Sequence, residues 1–148
     1  MIRLKKILLV EDNLNDVELT LEALSEQNLV NRVIVFNNGI EAMQYLLYEE
    51  KYNNREKENP AVILLDIKMP CMDGIEVLHL IKNKKELKNV PVVMLTSSRE
   101  EPDLIKCYEL GVNAYVVKPV NFKDFLETVK HLGIFWALLN ELPQERRT

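Results

Sequence analysis

The residues from Ile63 to Gly74, ILLDIKMPCMDG, decide how the rest of the chain folds. The continuous apolar run that opens this segment is typical of a strand in a parallel sheet that helices cover on both faces. Asp66 follows the run, so we expect this acid at the carboxyl end of the strand, where open α/β sheets bind their ligands. Pro70 and the Asp73-Gly74 pair predict a tight turn that leads into a helix. A helix cap or an ordinary surface acid is the alternative role for Asp66.

Further apolar runs of the same character alternate with helical patterns along the chain. These runs are Lys6 to Val10, Arg32 to Phe36, Val92 to Leu95 and Ala114 to Val117. Apolar residues at spacings of three and four follow each run, which predicts a helix after every strand. The sequence therefore predicts an α/β fold, a (βα)5 doubly wound parallel five-stranded sheet with right-handed crossovers and helices on both faces.

Three local features extend this prediction. Asp12 or Asn15 is expected to cap the first helix. The charged stretch from Glu49 to Asn59, EEKYNNREKEN, lacks apolar periodicity and predicts a mobile loop or a frayed helix end. The apolar positions from Phe122 to Leu139 keep helical spacing, which predicts one long amphipathic final helix.

Length and charge limit the classes of function. With 148 residues, the chain fits a single domain over 1–148, with a core from about 6 to 139 and a short tail. It carries 23 acidic and 19 basic residues, a net charge of −4 that gives no electrostatic support for nucleic-acid binding. The sequence contains neither a signal peptide nor a long apolar span, and its two cysteines form no disulfide framework. We therefore expect a cytoplasmic protein that does not bind a membrane.

Polar residues follow the strands at the end where the strands of a parallel sheet meet. Glu11-Asp12, Asp66, Thr96-Ser97 and Lys118 should therefore lie close together. Carboxylates this close need a compensating charge, and such oxygen ligands favour Mg²⁺ or Mn²⁺. Lys118 and Thr96 offer a charge and a hydroxyl for an anion with tetrahedral oxygens. The set suits phosphoryl transfer in which an aspartate carboxylate is the nucleophile.

Four sequence motifs at these strand ends carry a family resemblance. VEDN at 10–13, LLDIKMPCMDG at 64–74, MLTSS at 94–98 and AYVVKP at 114–119 together resemble a response-regulator receiver domain, whose fold is flavodoxin-like. The resemblance covers roughly residues 6–139. It implies that Asp66 is a phosphoacceptor that takes phosphate from a phosphohistidine of a sensor histidine kinase. It also implies a signalling switch that catalyses only its own phosphorylation and dephosphorylation, and so no enzyme in the usual sense.

The resemblance also implies a set of metal ligands. Asp12 would bind Mg²⁺ directly, Glu11 would bind it through water, and Asp66 would bind it as the phosphoacceptor. The main-chain carbonyl of Lys68 would complete the ligands that the protein supplies.

The resemblance further implies residues that bind the phosphoryl group and residues that change conformation on phosphorylation. Thr96 and Lys118 would hold the phosphoryl oxygens with the backbone N–H of Ser97, and Lys118-Pro119 would be a cis peptide. On phosphorylation Thr96 would move towards the phosphate and Tyr115 would turn inward. That movement would change the face of the fourth helix, fifth strand and fifth helix, the usual output and dimer surface of the family.

The C-terminal stretch from Leu132 to Pro143 and the charged loop resemble a subgroup of stand-alone receivers that serve phytochrome kinases of cyanobacteria and other bacteria. A phytochrome-type sensor kinase is thus an expected partner, together with a homodimer and an unknown downstream protein. Phe135, Trp136 and Leu139 either cover the core of the domain or form a dimer seam. Lys68 and Cys71-Met72 depart from the subgroup, and Cys71 is given no role.

Two other functions stay open at this stage. A phosphohydrolase of the haloacid-dehalogenase kind would place a second aspartate two residues after Asp66, where this chain has Lys68. A receiver-like binding module without phosphorylation would lack one of the acids or the lysine, and none is missing. His79 and His131 have no acids or cysteines at ligand spacing, so neither is assigned to the site.

Overall fold

The computed structural model describes residues 5–25 and 29–139, without the side chains of Trp136 and Leu139. The strands are β1 (Ile7–Val10), β2 (Val33–Phe36), β3 (Val62–Asp66), β4 (Val92–Thr96) and β5 (Ala114–Val117). The helices are α1 (Leu14–Leu24), α2 (Gly39–Leu46), α3 (Gly74–Lys82), α4 (Asp103–Glu109), α5 (Phe122–His131) and α6 (Phe135–Leu139). Short 3-10 helices lie at Leu29–Arg32 and Glu50–Tyr52. Within the described ranges, no helix is both long enough and apolar enough to cross a membrane.

The strands form one parallel sheet in the order β2-β1-β3-β4-β5. This arrangement confirms the predicted α/β fold. Val10 pairs with Leu65, Asp66 with Leu95, and Thr96 with Val117. Because the strands are parallel and in register, the residues that follow them gather at one end of the sheet, which we call the carboxyl end; the opposite end is the amino end.

The continuous apolar runs of the central strands are explained by apolar cores on both faces of the sheet. In β1, Leu8 and Val10 join the core beneath α2, α3 and α4, whereas Ile7 and Leu9 join the core beneath α1, α5 and α6. All four side chains are fully buried. Burying one such side chain stabilises the fold by roughly 1.5–3 kcal/mol, so this sheet is a rigid base for the residues at its carboxyl end.

The prediction of one long final helix is wrong. α5 ends at His131, and α6 begins at Phe135. Gly133 lies between them with φ +76°, a left-handed conformation that ends a helix. The apolar spacing continues across the break because α6 still packs on the domain, where Ala137 and Leu138 are buried. Of the three residues with an open role, Phe135 packs against the same core, and the side chains of Trp136 and Leu139 lie outside the described part of the chain.

The charged stretch from Glu49 to Asn59 also differs from the prediction. It contains a 3-10 helix and packs against α2, whereas a mobile loop or frayed helix end was expected. The guanidinium of Arg55 lies 3.9 Å from the ring centroid of Tyr45 and 4.1 Å from that of Tyr48. Its Nε donates a hydrogen bond to the carbonyl of Tyr45 at 2.7 Å. Hydrophobic periodicity does not record contacts between a cation and aromatic rings, so the sequence pattern missed this packing.

The cap of α1 is Asn13, so the predicted caps Asp12 and Asn15 are wrong. The Oδ1 atom of Asn13 accepts a hydrogen bond from the backbone N–H of Asp16 at 3.0 Å. Its extended backbone, with φ −86° and ψ 114°, is typical of a helix N-cap. Because Asn13 caps the helix, the carboxylate of Asp12 is left for the cavity at the carboxyl end.

Candidate functional site

A cavity of about 240 Å³ opens at the carboxyl end of the sheet. The residues predicted for metal and phosphoryl binding all line it: Glu11, Asp12, Asp66, Lys68, Thr96, Ser97 and Lys118. Asp16 and Glu101, which were not predicted, complete its charged wall. The structure therefore brings together side chains that are more than one hundred residues apart in the chain.

Asp66 ends β3 and is 5% exposed. The chain returns behind it through Gly74, whose N–H donates to the carbonyl of Ile67 at 2.8 Å. A Cβ at Gly74 would overlap the carbonyl oxygen of Asp66 and would lie 2.9 Å from the Cα of Ile67. Only glycine allows this close approach, so the turn predicted from Asp73-Gly74 also fixes the backbone of Asp66.

The carboxylates of Glu11, Asp12 and Asp66 form a cluster in which one oxygen from each lies within 4.8 Å of the others. Burial, and then the charge of Asp66, raise the pKa of Glu11 to about 7. Burial likewise raises the pKa of Asp66. Acids with raised pKa values are poorly compensated, and a divalent cation with oxygen ligands would relieve this repulsion. The donor set therefore fits Mg²⁺ or Mn²⁺, as the sequence predicted.

Lys118 is the cation that reaches this cluster. Its Nζ lies 2.9 Å from Oδ2 of Asp16, 3.0 Å from Oδ1 of Asp66 and 3.2 Å from Oε1 of Glu11. Burial lowers the pKa of Lys118, but hydrogen bonds to Asp16 and Asp66 outweigh it and leave the pKa above its usual value. Lys118 therefore carries its charge at neutral pH. The peptide bond to Pro119 is cis, as the family resemblance implied.

The sequence prediction did not include Asp16, because it covered only residues at the strand ends. It lies in the first turn of α1, three residues after the cap Asn13. A helix that begins directly after a strand places its first turn at the same end of the sheet. An acid in the first turn of a helix that follows a strand was therefore the sequence feature that could have predicted Asp16 as a site residue.

On the β4 side of the cavity, Thr96 is 2% exposed and is held by the next loop. Its hydroxyl donates to the carbonyl of Ser98 at 3.0 Å and accepts from the N–H of Ser98 at 3.3 Å.

An ion pair lies at the mouth of the cavity, where the Nζ of Lys68 is 3.7 Å from Oε1 of Glu101. Glu101 carried no sequence signal, because it follows the polar end of β4 by several loop residues.

Tyr115 lies outside the cavity, on β5 at the side of the sheet. It is half-buried, and its ring packs edge-on against that of Tyr108 with centroids 6.5 Å apart. Tyr108 and Ile105 on α4 are 51% and 70% exposed. The predicted switch tyrosine therefore joins an exposed apolar surface formed by α4 and β5.

Comparison with known proteins agrees with this geometry. Residues 7–130 match the family of response regulator receiver domains. The response regulator Rcp1 of Synechocystis sp. is 41% identical over 139 residues, which are 94% of this chain and 93% of that protein. The Mn(2+)-bound structure of Rcp1 has a TM-score of 0.72 at 40% identity, over 93% of this chain and 97% of that one.

Two further solved structures are similar. The bacteriophytochrome response regulator RtBRR is 57% identical with a TM-score of 0.84, over 94% of this chain and 84% of that one. The phosphorylated cyanobacterial phytochrome response regulator RcpA is 42% identical with a TM-score of 0.74, over 90% of this chain and 94% of that one. With the sheet, the acid cluster and the lysine in place, the chain belongs to the response-regulator receiver domains, which are phosphorylated signalling switches of two-component systems.

Proposed function

We propose that the chain is a single-domain response regulator, over residues 1–148, in which Asp66 accepts a phosphoryl group from a phosphohistidine of a sensor histidine kinase. The observation that carries this proposal is the contact of 3.0 Å between Lys118 Nζ and Asp66 Oδ1 inside a cluster of acids that fits a divalent metal. A nucleophilic carboxylate, a fixed cation and a metal site are what phosphoryl transfer to an aspartate needs.

In the transfer, an Oδ atom of Asp66 attacks the phosphorus. The bond from phosphorus to the imidazole nitrogen of the kinase breaks, and its electron pair stays on that nitrogen. Lys118 and Thr96 hold the phosphoryl oxygens with the N–H of Ser97. Mg²⁺ or Mn²⁺ bound by the acid cluster would supply further positive charge at this site.

The metal ligands of this proposal are those that the family resemblance implies. Asp12 would bind the metal directly, Glu11 would bind it through water, Asp66 would bind it as the phosphoacceptor, and the main-chain carbonyl of Lys68 would complete the set. The burial of Glu11 and Asp66 supports this assignment, because these two acids gain most from a compensating cation.

Phosphorylation then changes the surface at α4 and β5. Thr96 must release Ser98 before its hydroxyl can reach a phosphoryl oxygen. The space that Thr96 leaves lets Tyr115 turn inward, away from Tyr108. The exposed side chains of Ile105 and Tyr108 then contact a partner, which is a second copy of the chain in a homodimer or a downstream protein.

The names of the relatives support a phytochrome-type sensor kinase as the donor. RtBRR is described as a bacteriophytochrome response regulator and RcpA as a phytochrome response regulator. We place the protein in the cytoplasm, where an exposed free thiol such as Cys71 stays reduced. Its only catalytic acts are its own phosphorylation and dephosphorylation.

The phosphohydrolase alternative is less well supported. It needs a general acid two residues after the nucleophile, and that position holds Lys68, whose side chain is 69% exposed and paired with Glu101. A binding module without phosphorylation would not need Lys118 and three acids in one cavity.

Intact-mass analysis after incubation with Mg²⁺ and acetyl phosphate tests the proposal. Wild type should gain one phosphoryl mass, and Asp66→Asn, a variant of nearly equal size, should gain none. Size exclusion of both samples then separates the two kinds of output, because self-association changes the elution of phosphorylated wild type and an outside partner does not. Wild type that gains no mass and binds no Mg²⁺ contradicts the proposal.

A further inference from the structure

The Lys118 ammonium has three N–H donors and three carboxylate neighbours. The shortest of these contacts, 2.9 Å, goes to Asp16. The side chain of Asp16 is 27% exposed, against 7% for Asp66 and 1% for Glu11. Asp16 is therefore the partner that water hydrates most easily, and burial does not explain why its carboxylate points at the lysine.

The position of Asp16 is set by a short turn. The N–H of Asn13 donates to Oε2 of Glu11 at 3.2 Å, and Oδ1 of Asn13 accepts from the N–H of Asp16 at 3.0 Å. Asn13 thus joins the two acids that flank the lysine. Because the cap bond uses the backbone of Asp16, its side chain is free to contact Lys118.

Apart from Glu101, which pairs with Lys68, the acids in the cavity divide into two sets. Glu11, Asp12 and Asp66 form the cluster that fits a divalent cation, and Asp16 is not part of it. A metal ion bound by that cluster would balance part of the negative charge of Glu11 and Asp66. Asp16 is then the carboxylate whose main compensating charge is Lys118.

We propose that Asp16 is a positioning residue that holds the Lys118 ammonium over Asp66, and that it keeps this contact when Asp66 carries a phosphoryl group. The inference rests on the proposed function of Asp66. In the transfer, a phosphoryl oxygen replaces Asp66 Oδ1 as one acceptor of the lysine, and Asp16 continues to accept from another N–H. No bond to Asp16 forms or breaks. Its contribution is to restrict the position of the ammonium, so that the ammonium already lies within hydrogen-bond distance of the incoming phosphoryl oxygen.

Two substitutions separate position from charge. Asp16→Asn keeps an oxygen that can accept from Lys118, whereas Asp16→Ala removes it. Asp124 is a matched control, since it also lies three residues after an asparagine cap, Asn121, in the first turn of α5, and it does not contact Lys118. Asp124→Ala therefore reports what the loss of an acid in a helix first turn does to folding, together with the loss of its contact with Asn121 Nδ2 at 3.0 Å.

The first readout is the exchange of the Lys118 ammonium protons with water, followed by NMR of protein with ¹⁵N-labelled lysine. Lys118→Arg identifies the signal by its loss. We expect slow exchange in wild type, Asp16→Asn and Asp124→Ala, and exchange faster by about tenfold in Asp16→Ala, because one of three charge-assisted bonds is lost. Equal exchange in Asp16→Ala and wild type overturns the proposal.

The second readout is the rate of phosphoryl uptake from acetyl phosphate with Mg²⁺. Asp16→Ala should be slower by about tenfold, the loss expected when a charged donor is no longer aimed. Asp16→Asn should recover most of the rate, and Asp124→Ala should match wild type. A rate in Asp16→Ala equal to or above that of wild type overturns the proposal, and so does an Asp16→Asn variant as slow as Asp16→Ala.

The two readouts also separate this inference from the proposed function. If wild type takes up no phosphoryl group, the function of Asp66 is wrong, and ammonium exchange still decides whether Asp16 holds Lys118. If wild type is phosphorylated and Asp16→Ala behaves like it in either readout, only the role of Asp16 is wrong.

Discussion

At the carboxyl end of the sheet, buried Glu11 and Asp66 lie beside each other with raised pKa values, whereas at the amino end Arg32 closes the domain with neutral partners. The guanidinium of Arg32 donates to the carbonyls of Lys5, Ala137 and Leu138 and thereby fastens α6 beside the start of β1. The same rigid sheet thus carries repulsion that Lys118 relieves only in part at one end and satisfied hydrogen bonds at the other. A cation would relieve the repulsion between like charges at the carboxyl end, whereas Arg32 at the amino end already has hydrogen-bond partners for its guanidinium.

The largest expected difference between the two ends is in the loss of unfolding free energy when a glycine at each end is replaced by alanine. Gly74→Ala should destabilise the protein by about 3 kcal/mol or more, because the added Cβ meets the backbone of Asp66 and Ile67. Gly133→Ala, near the amino end, should cost only about 1 kcal/mol, since its φ of +76° is unfavourable but no atom lies within 4 Å of the added Cβ. Urea unfolding measures both, and equal losses would mean that the close approach at Gly74 is not rigid.

Arg32→Met removes the hydrogen bonds of the guanidinium at the amino end. We expect a loss of roughly 2–3 kcal/mol in unfolding free energy, because buried carbonyls of α6 lose a charged donor. Phosphoryl uptake at Asp66 should not change, since the carboxyl end keeps its residues. Arg32→Lys, which keeps one charged donor, should lose less. A slower uptake in Arg32→Met would show that the two ends are coupled.

The repulsion at the carboxyl end predicts a pH dependence. Without metal, the folded protein holds the proton of Glu11 more tightly than the unfolded chain does, because burial and the charge of Asp66 raise its pKa from 4.5 to about 7. That stabilisation is fully present below the unfolded pKa and is lost as pH rises through the folded pKa. The unfolding free energy should therefore fall by roughly 1–3 kcal/mol between about pH 4.5 and pH 7.

Urea titrations of wild type and Glu11→Gln across this pH range measure that effect. The variant should lack this part of the pH dependence and should be more stable than wild type at pH 8 without metal. Mg²⁺ should stabilise wild type more than Glu11→Gln. The same pH dependence in both proteins would assign the effect to another group.

The smallest expected effect concerns Lys68. Its pair with Glu101 spans 3.7 Å, and its side chain is 69% exposed, so Lys68→Ala should change the unfolding free energy by less than about 0.5 kcal/mol. Mg²⁺ affinity should be unchanged or slightly higher, because the proposed ligand is the main-chain carbonyl and a nearby positive charge is removed. Isothermal titration checks this, and a weaker affinity would mean that the side chain itself supports the metal site.

Much of the carboxyl end could be predicted from sequence, because its chemistry follows from strand order. An apolar run that ends in Glu11, Asp66 or Thr96 marks a strand end, and parallel strands bring those ends together. Asp16 and Glu101 lie several residues beyond the strand ends, so the pattern of polar residues directly after each strand did not predict their place in the cavity.

The amino end was predicted less well. The path of α6 depends on Gly133 and on Arg32, which is more than one hundred residues away in the chain, and helical spacing shows neither. The single-domain extent over 1–148 and the roles of the site residues stay predictions.

The contact between Lys5 and Ala137 has a practical consequence. The backbone N–H of Lys5 donates to the carbonyl of Ala137 at 3.4 Å, so both ends of the described core leave from the same pole of the molecule. A fluorescent protein joined to the described core at residue 5 or at residue 139 would begin on the far side of the sheet from Asp66. Such fusions leave the cavity open to its phosphate donor.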